Sequence, residues 1–299
     1  MRSQNLLLRF LTGPERKLRF IWRAAIFWVI AEYGLPRLFN PLVARTAAWL
    51  GVDDALTAPS LALSEFSVFV AALIGTAVFS LYERRSVDSY GLPIRRALSS
   101  NTAEGALVGV AMAGLVAGGM FFLGGMQIHG MATKGRECIF SALAWLGANI
   151  IVGVAEESMY RGYFLQTLWR SVGFWPASIV IALLFTADHY FYKPGENIWD
   201  VITLMSLSLF TCYSVVRTGT LWFAVGFHAA FDYMQFFVIG TPNGNQLPAG
   251  RLLDVTFQGP AWLTGGVLGT EASWLMYPAI VIGWLYVWWR FREGPRRTN

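Results

Sequence analysis

Long apolar stretches recur along this chain and constrain its fold more than any other feature. A helix needs about 20 apolar residues to cross a bilayer, because the hydrocarbon core is about 30 Å thick. Stretches of roughly that length occupy residues 20–39, 61–82, 102–124, 138–165, 175–191, 198–216, 221–239 and 273–289. Charged residues make up only 14% of the sequence and hydrophobic residues 55%, a balance that argues against an ordinary soluble domain. The sequence therefore predicts an all-α fold, a polytopic membrane helix bundle of about eight transmembrane helices.

A single transmembrane domain over residues 1–299 is predicted, since the longest polar connection, residues 241–271, leaves no room for a separate soluble module. No internal sequence repeat is visible, which argues against a transporter built from inverted repeats. Four glycines of the predicted third helix share a face through which helix backbones can approach closely: Gly105, Gly109, Gly114 and Gly118.

Basic residues predict the orientation of the helices, because Lys and Arg in short loops stay on the cytoplasmic side. They are dense before the first predicted helix, between the second and third, and after the last. Both termini are therefore expected in the cytoplasm, with the chain in a bacterial inner membrane. The same flanks account for the net charge of +5, so the lipid bilayer is the expected partner and no nucleic acid is implied.

Ionisable side chains interrupt three apolar stretches in the second half of the chain. At membrane depth such groups are costly and usually mark function. The fourth, fifth and seventh stretches contain them: Glu156, Glu157, Arg161, His189, His228 and Asp232.

Helix geometry predicts how these residues are arranged. Glu157 and Arg161 are four residues apart and should pair, while Glu156 points about 100° away and stays available. A chain reversal around residues 171–174 lies about sixteen residues from both Glu156 and His189, so an antiparallel hairpin brings these two to one depth. The site is expected to open toward the side of this reversal, the cytoplasmic half.

The seventh predicted helix contributes a local pair, because His228 and Asp232 are one turn apart on one face. Structural interpretations remain open for each group: a bundle salt bridge for Glu157 with Arg161, an interfacial position for His189, and a packing pair for His228 with Asp232.

Three further carboxylates receive structural interpretations at this point. Glu32 and Glu65 are interpreted as helix-end or interhelical pairing residues, with lining of the cavity as the alternative. Asp188 is interpreted as a solvent-facing or capping residue, with a catalytic role as the alternative.

A carboxylate and an imidazole around one water can remove its proton and direct it at a carbonyl, while donors from a second pair stabilise the oxyanion. The chemistry indicated is amide hydrolysis inside a membrane. No Ser-His or Cys-His pairing is evident, which disfavours a covalent intermediate.

The ordered motifs resemble the signature of the CPBP family of intramembrane proteases, the Abi or CAAX-protease-like family, which includes the type II CAAX prenyl proteases. They are Glu156-Glu157-x-x-x-Arg161, Phe185-x-x-x-His189, and Arg217-Thr218-Gly219-Thr220-Leu221-Trp222 leading to His228-x-x-x-Asp232.

The resemblance implies an intramembrane endopeptidase with a catalytic core at residues 137–240. Glu156 and His189 would activate the water, His228 and Asp232 would hold the oxyanion, and Glu157 with Arg161 would support the site. Many relatives have Asn at the position of Asp232. Because an ionised carboxylate cannot donate a hydrogen bond, Asp232 is expected to orient His228 instead.

Metal dependence is often assigned to this family, and Glu156, His189 and His228 are the alternative zinc ligands. The H-E-x-x-H motif is absent, so we expect no metal and no other cofactor. The expected substrate is a membrane-associated peptide or protein. The alternative is a non-catalytic membrane scaffold or bacteriocin-immunity protein of the same fold, and a proton-conducting transporter or channel is a third possibility.

Overall fold

The structure is a computed structural model that describes residues 10–13, 17–52 and 55–294. Helices dominate it, and the predicted all-α polytopic fold is confirmed. The helices are α1 (Phe20–Trp28), α2 (Leu35–Leu50), α3 (Ala58–Glu83), α4 (Ser100–Phe122), α5 (Gly135–Arg161), α6 (Tyr163–Val172), α7 (Phe174–Tyr192), α8 (Ile198–Thr218), α9 (Trp222–Tyr233), α10 (Ala261–Thr264) and α11 (Met276–Arg290). Turns of π-helix at Val29–Gly34 and Met234–Ile239 extend α1 and α9, and 3-10 turns lie at Val87–Tyr90, Ile94–Arg96 and Gly266–Ala272.

Five helical segments of the described chain are long and apolar enough to cross a membrane: Ala58–Glu83, Ser100–Phe122, Gly135–Val172, Phe174–Tyr192 and Ile198–Thr218. The three other predicted spans are helical but shorter or interrupted. The helix α9 has 12 residues and α11 has 15, and 12 residues extend only about 18 Å. A π-helical turn interrupts the first predicted span after Trp28.

The predicted fourth span is interrupted at Gly162, where α5 ends and α6 begins. A side chain at this position would approach the carbonyl oxygen of Ser158 to 2.3 Å, so only glycine fits here. The predicted chain reversal follows at Gly173, whose φ of 88° is readily adopted by glycine. The helices on either side of it, α6 and α7, therefore run as the antiparallel hairpin that the sequence predicts.

A two-stranded antiparallel ribbon was not expected from the sequence. Strand β1 (Met126–Met131) pairs with β2 (Leu253–Phe257), although more than a hundred residues separate them. The segment Leu-Asp-Val-Thr-Phe of β2 alternates apolar and polar residues, which is the pattern of a half-buried strand. That alternation was the available signal, but the partner strand could not be identified from the sequence.

Two ends of the bundle differ in their connections. One end, which we call the arginine-rich end, contains residues 84–99, 217–221 and 290–294. There the backbone N–H of Leu221 donates a hydrogen bond to the carbonyl of Gly91, and the indole N–H of Trp222 donates one to the carbonyl of Pro93. At the opposite end, which we call the loop end, residues 55–57 meet residues 240–275, and the indole of Trp145 donates to the carbonyl of Ala249.

Close packing of α4 against α9 depends on glycine. A Cβ at Gly105 would lie 2.0 Å from the carbonyl oxygen of Phe223, and one at Gly109 would lie 2.4 Å from that of Phe227. By contrast, Gly114 and Gly118 have open space around them. The predicted small-residue face is therefore correct for Gly105 and Gly109 only, because at about 100° per residue Gly114 and Gly118 lie on the opposite side of the helix.

This difference predicts opposite effects of the same substitution within one helix. Gly109→Ala should destabilise the protein by about 1–3 kcal/mol, since α9 must move away from α4. Gly114→Ala should be neutral or slightly stabilising, because alanine favours the helix and meets no neighbour. The midpoint of thermal unfolding of the purified protein in detergent measures both. Equal effects of the two substitutions would contradict the close contact.

Candidate functional site

A cavity of about 430 Å³ lies among α3, α5, α7, α8 and α9. All six residues that the sequence singled out line it: Glu156, Glu157, Arg161, His189, His228 and Asp232. Residues from three predicted spans therefore converge as expected.

The base of the site is a buried ion pair on α5. Arg161 and Glu157 are 1% and 0% exposed, and the guanidinium Nη1 lies 3.4 Å from the carboxylate Oε1. The other guanidinium nitrogen, Nη2, donates to the hydroxyl of Ser208 on α8 at 2.7 Å. The predicted pairing is present, and it connects α5 to α8. Because a lone charge buried here would be very costly, the pair also fixes the rotation of α5.

Glu156, one residue earlier, faces the cavity. Its side chain is 16% exposed, against 0% for Glu157, so the two neighbouring carboxylates occupy different environments as predicted. The Oε2 atom of Glu156 is buried and has no hydrogen-bond partner among the described residues, although His228 Nε2 lies 3.7 Å away. The hydrogen-bonding capacity of this oxygen is therefore not used by the described protein groups.

His228 lies at the centre of three carboxylates. Its Nδ1 is 3.1 Å from Glu157, and its Nε2 is 3.5 Å from Asp232 and 3.7 Å from Glu156. The predicted pair with Asp232 is thus present, but the contacts with both glutamates were not predicted. Carboxylates only accept hydrogen bonds, so a cationic imidazolium, which carries a proton on each nitrogen, matches these neighbours best.

His189 approaches the cavity from α7. Its Nδ1 lies 2.9 Å from the carbonyl oxygen of Phe185 and donates to it. In the neutral imidazole this leaves Nε2 as an acceptor. His189 and Glu156 line one cavity without forming a direct ion pair in the described part of the chain.

Asp188 also lines the cavity, so the solvent-facing or capping interpretation is wrong. Its Oδ2 accepts a hydrogen bond from the hydroxyl of Tyr160 at 2.5 Å. Tyr160 is buried on α5, and its contact with α7 could not be predicted from the sequence.

Glu65 is a cavity residue that sequence reasoning placed elsewhere. It lies one turn after Leu61 on α3, and both line the cavity. Its Oε2 is buried without a hydrogen-bond partner, and it forms no ion pair within residues 10–13, 17–52 and 55–294, so the interhelical pairing interpretation is wrong. A carboxylate in an apolar helix was the available signal. Glu32 lies in the π-helical turn after α1 and is not among the lining residues.

Metal binding at the alternative ligands does not fit this geometry. Among the described residues, no three His, Cys, Asp or Glu side chains are grouped to hold a metal ion. By this criterion Glu156, His189 and His228 are not grouped as a ready metal site among the described residues.

The mouth of the cavity is at the loop end, where Leu56, Lys193, Asn243 and Glu271 line it. The expectation that it opens toward the reversal at residues 171–174 is wrong. That reversal is about 24 Å from His189 along α7, whereas α7 ends only three residues after His189.

Polar contacts tie the mouth together. Lys193 pairs with Glu271 at 2.8 Å, and the amide of Gln235 donates to the same carboxylate at 3.1 Å. Burial opposes the charge of Lys193, but Glu271 and its acidic neighbours still raise the pKa of the ammonium above its ordinary value. Burial likewise opposes the charge of Glu271, yet Lys193 holds the pKa of that carboxyl below its ordinary value. Both groups are therefore charged at neutral pH.

The cavity thus combines the carboxylate of Glu156, the imidazole of His189, and the imidazole of His228 with carboxylates around it. These are the groups needed to deprotonate a water and to stabilise a developing oxyanion.

Comparison with known proteins supports the motifs. Residues 139–234 match the family model described as type II CAAX prenyl endopeptidase Rce1-like. No curated protein and no solved structure matches the chain significantly. The matched segment contains all six site residues and runs from α5 to the end of α9. The resemblance predicted from the motifs is therefore confirmed over residues 139–234, which are similar to the type II CAAX prenyl endopeptidases.

Proposed function

We propose that this protein is an intramembrane endopeptidase that hydrolyses a peptide bond of a membrane-associated substrate with an activated water. The proposal rests mainly on Glu156, which lines one cavity with His189 and His228 and has a carboxylate oxygen without a hydrogen-bond partner among the described residues. The family itself points to CAAX-type proteolysis of a membrane-associated protein.

Glu156 is the general base in this proposal. It takes a proton from a water held between its carboxylate and Nε2 of His189, and the water oxygen forms a bond to the carbonyl carbon of the substrate. The hydrogen bond from His189 Nδ1 to Phe185 supports this role, because it keeps Nε2 available as an acceptor.

His228 stabilises the negative oxygen that forms on the carbonyl. Glu157 holds Nδ1 of the ring, and Asp232 orients Nε2. The tetrahedral intermediate then collapses as the carbon–nitrogen bond breaks, and Glu156 returns its proton to the leaving amine. Arg161 acts indirectly by fixing Glu157.

Glu156→Gln should abolish cleavage, with a loss of about 10²- to 10⁴-fold, because the amide cannot accept the proton. The measurement compares membrane peptides from cells with the wild-type protein and from cells with the variant, and looks for peptide fragments that are absent with the variant. Glu137→Gln is the matched control, since it removes a carboxylate from the same helix at an exposed position outside the cavity.

The same comparison tests the alternative of a non-catalytic scaffold or bacteriocin-immunity protein. A scaffold keeps its cellular phenotype with Glu156→Gln, whereas a protease loses it and its uncut substrate accumulates. An unchanged fragment pattern in a correctly folded variant would contradict the proposed function.

We propose further that the reaction needs no metal. The lack of a grouped set of three metal-ligating side chains among the described residues supports this. Cleavage by the purified protein should persist after exhaustive chelation, and elemental analysis should find no stoichiometric zinc. Loss of cleavage that zinc alone restores would overturn the metal-free mechanism.

Both termini are proposed to be cytoplasmic in a bacterial inner membrane, since the arginine-rich end should remain inside. The mouth of the cavity, at the loop end, then faces away from the cytoplasm. Cysteine labelling tests this orientation in a variant of the protein that lacks Cys138 and Cys212. A membrane-impermeant thiol reagent added to intact cells should label Gln127→Cys, at the loop end, and should not label Ser171→Cys. Both positions are exposed, so labelling of Ser171→Cys alone would show that the orientation is the opposite one.

A further inference from the structure

A second cavity, of about 870 Å³, lies at the arginine-rich end, far from the candidate catalytic groups. Four arginines line it: Arg96, Arg217, Arg290 and Arg292. A single carboxylate, Glu293, is among the lining residues. The cavity is therefore strongly positive, in contrast to the first, whose charged lining residues are mainly carboxylates.

The first turn of α4 adds backbone donors to this cavity. Ser100 and Asn101 both line it, and no side chain caps the helix at Ser99. The first N–H groups of a helix lack partners within the helix and attract anions. Because α4 has 23 residues, its N-terminal dipole adds to the field of the arginines.

Two of the arginines are not neutralised by the protein. Arg217 and Arg292 form no ion pair in the described part of the chain, and Arg217 Nε is buried without a hydrogen-bond partner. The guanidinium of Arg217 lies over the ring of Tyr213, 5.7 Å from its centroid, which holds it in place. Arg290, by comparison, pairs with Glu104 at 2.6 Å.

The position of the cavity relates it to the membrane surface. Trp289 lines it and is 61% exposed, and the neighbouring Trp288 is 60% exposed. Tryptophan at the end of a membrane helix favours the headgroup region. Arginine forks match the geometry of phosphate oxygens.

We propose that this cavity binds a phosphate group, carried by the headgroup of an anionic phospholipid or by a soluble phosphate compound. Arg217, Arg292 and the N-terminus of α4 hold the phosphate oxygens, and Trp289 contacts the adjoining part of the ligand. Basic pockets between membrane helices are suited to anionic headgroups. This site is independent of the proposed proteolysis.

The test uses the full chain purified in detergent, with native mass spectrometry as the binding measurement. Short-chain phosphatidylglycerol, phosphatidylcholine and inorganic phosphate are added separately. If the natural ligand is an anionic phospholipid, phosphatidylglycerol should bind more tightly than phosphatidylcholine and inorganic phosphate. If it is a soluble phosphate compound, inorganic phosphate should bind at least as tightly as phosphatidylglycerol.

The double variant Arg217→Gln with Arg292→Gln should bind the preferred ligand about 30-fold more weakly, because loss of each arginine contact weakens binding about fivefold and the two losses multiply. The matched control, Arg85→Gln with Arg95→Gln, removes the same charge from exposed positions at the same end but outside the cavity. It should change binding by less than about threefold. Arg292→Gln alone, at an exposed position, tests the site if the double variant is unstable. The proposal would be overturned if the two double variants weakened binding equally, or if neither phosphatidylglycerol nor inorganic phosphate bound to the wild-type protein.

Discussion

The buried contact between Glu157 and Arg161 organises the rest of this structure. A guanidinium with 1% exposure inside an apolar bundle requires a fixed counter-charge, and Glu157 supplies it from the preceding turn. The same two side chains reach Ser208 on α8 and His228 on α9. Three helices are therefore held in one relative rotation, and that rotation directs Glu156 into the cavity. The functional geometry follows from the charge compensation.

The connection between the last two helical regions completes the cavity at the loop end. The helix α7 ends at Tyr192, three residues after His189, and the π-helical turn after α9 ends at Ile239. Residues 240–275 then fold back over these helix ends, where Glu271 pairs with Lys193. Asn243 and Glu271 of this connection line the cavity together with residues of the long helices. The cavity is therefore formed jointly by the helices and by the connection between them.

Opposite charges mark the two ends of the molecule. Six carboxylates line the first cavity, namely Glu65, Glu156, Glu157, Asp188, Asp232 and Glu271, and four arginines line the second. A membrane protein retains arginines where they meet anionic headgroups and cytoplasm. It retains carboxylates at depth only where they serve a site or a partner. The polarity of the chain is thus consistent with a catalytic cavity at one end and a lipid-facing surface at the other.

The membrane class, the long helices and the local pairs could be predicted from the amino-acid sequence. Glu157 with Arg161, and His228 with Asp232, were predictable because a helix places residues one turn apart on one face. The reversal between α6 and α7 made the depth of His189 predictable in the same way. Three features came only from the folded bundle: Glu65 and Asp188 line the cavity, β1 pairs with β2, and the mouth of the cavity lies at the loop end. These features depend on the rotation of whole helices and on contacts between distant segments, which packing of the complete bundle sets and local spacing does not encode.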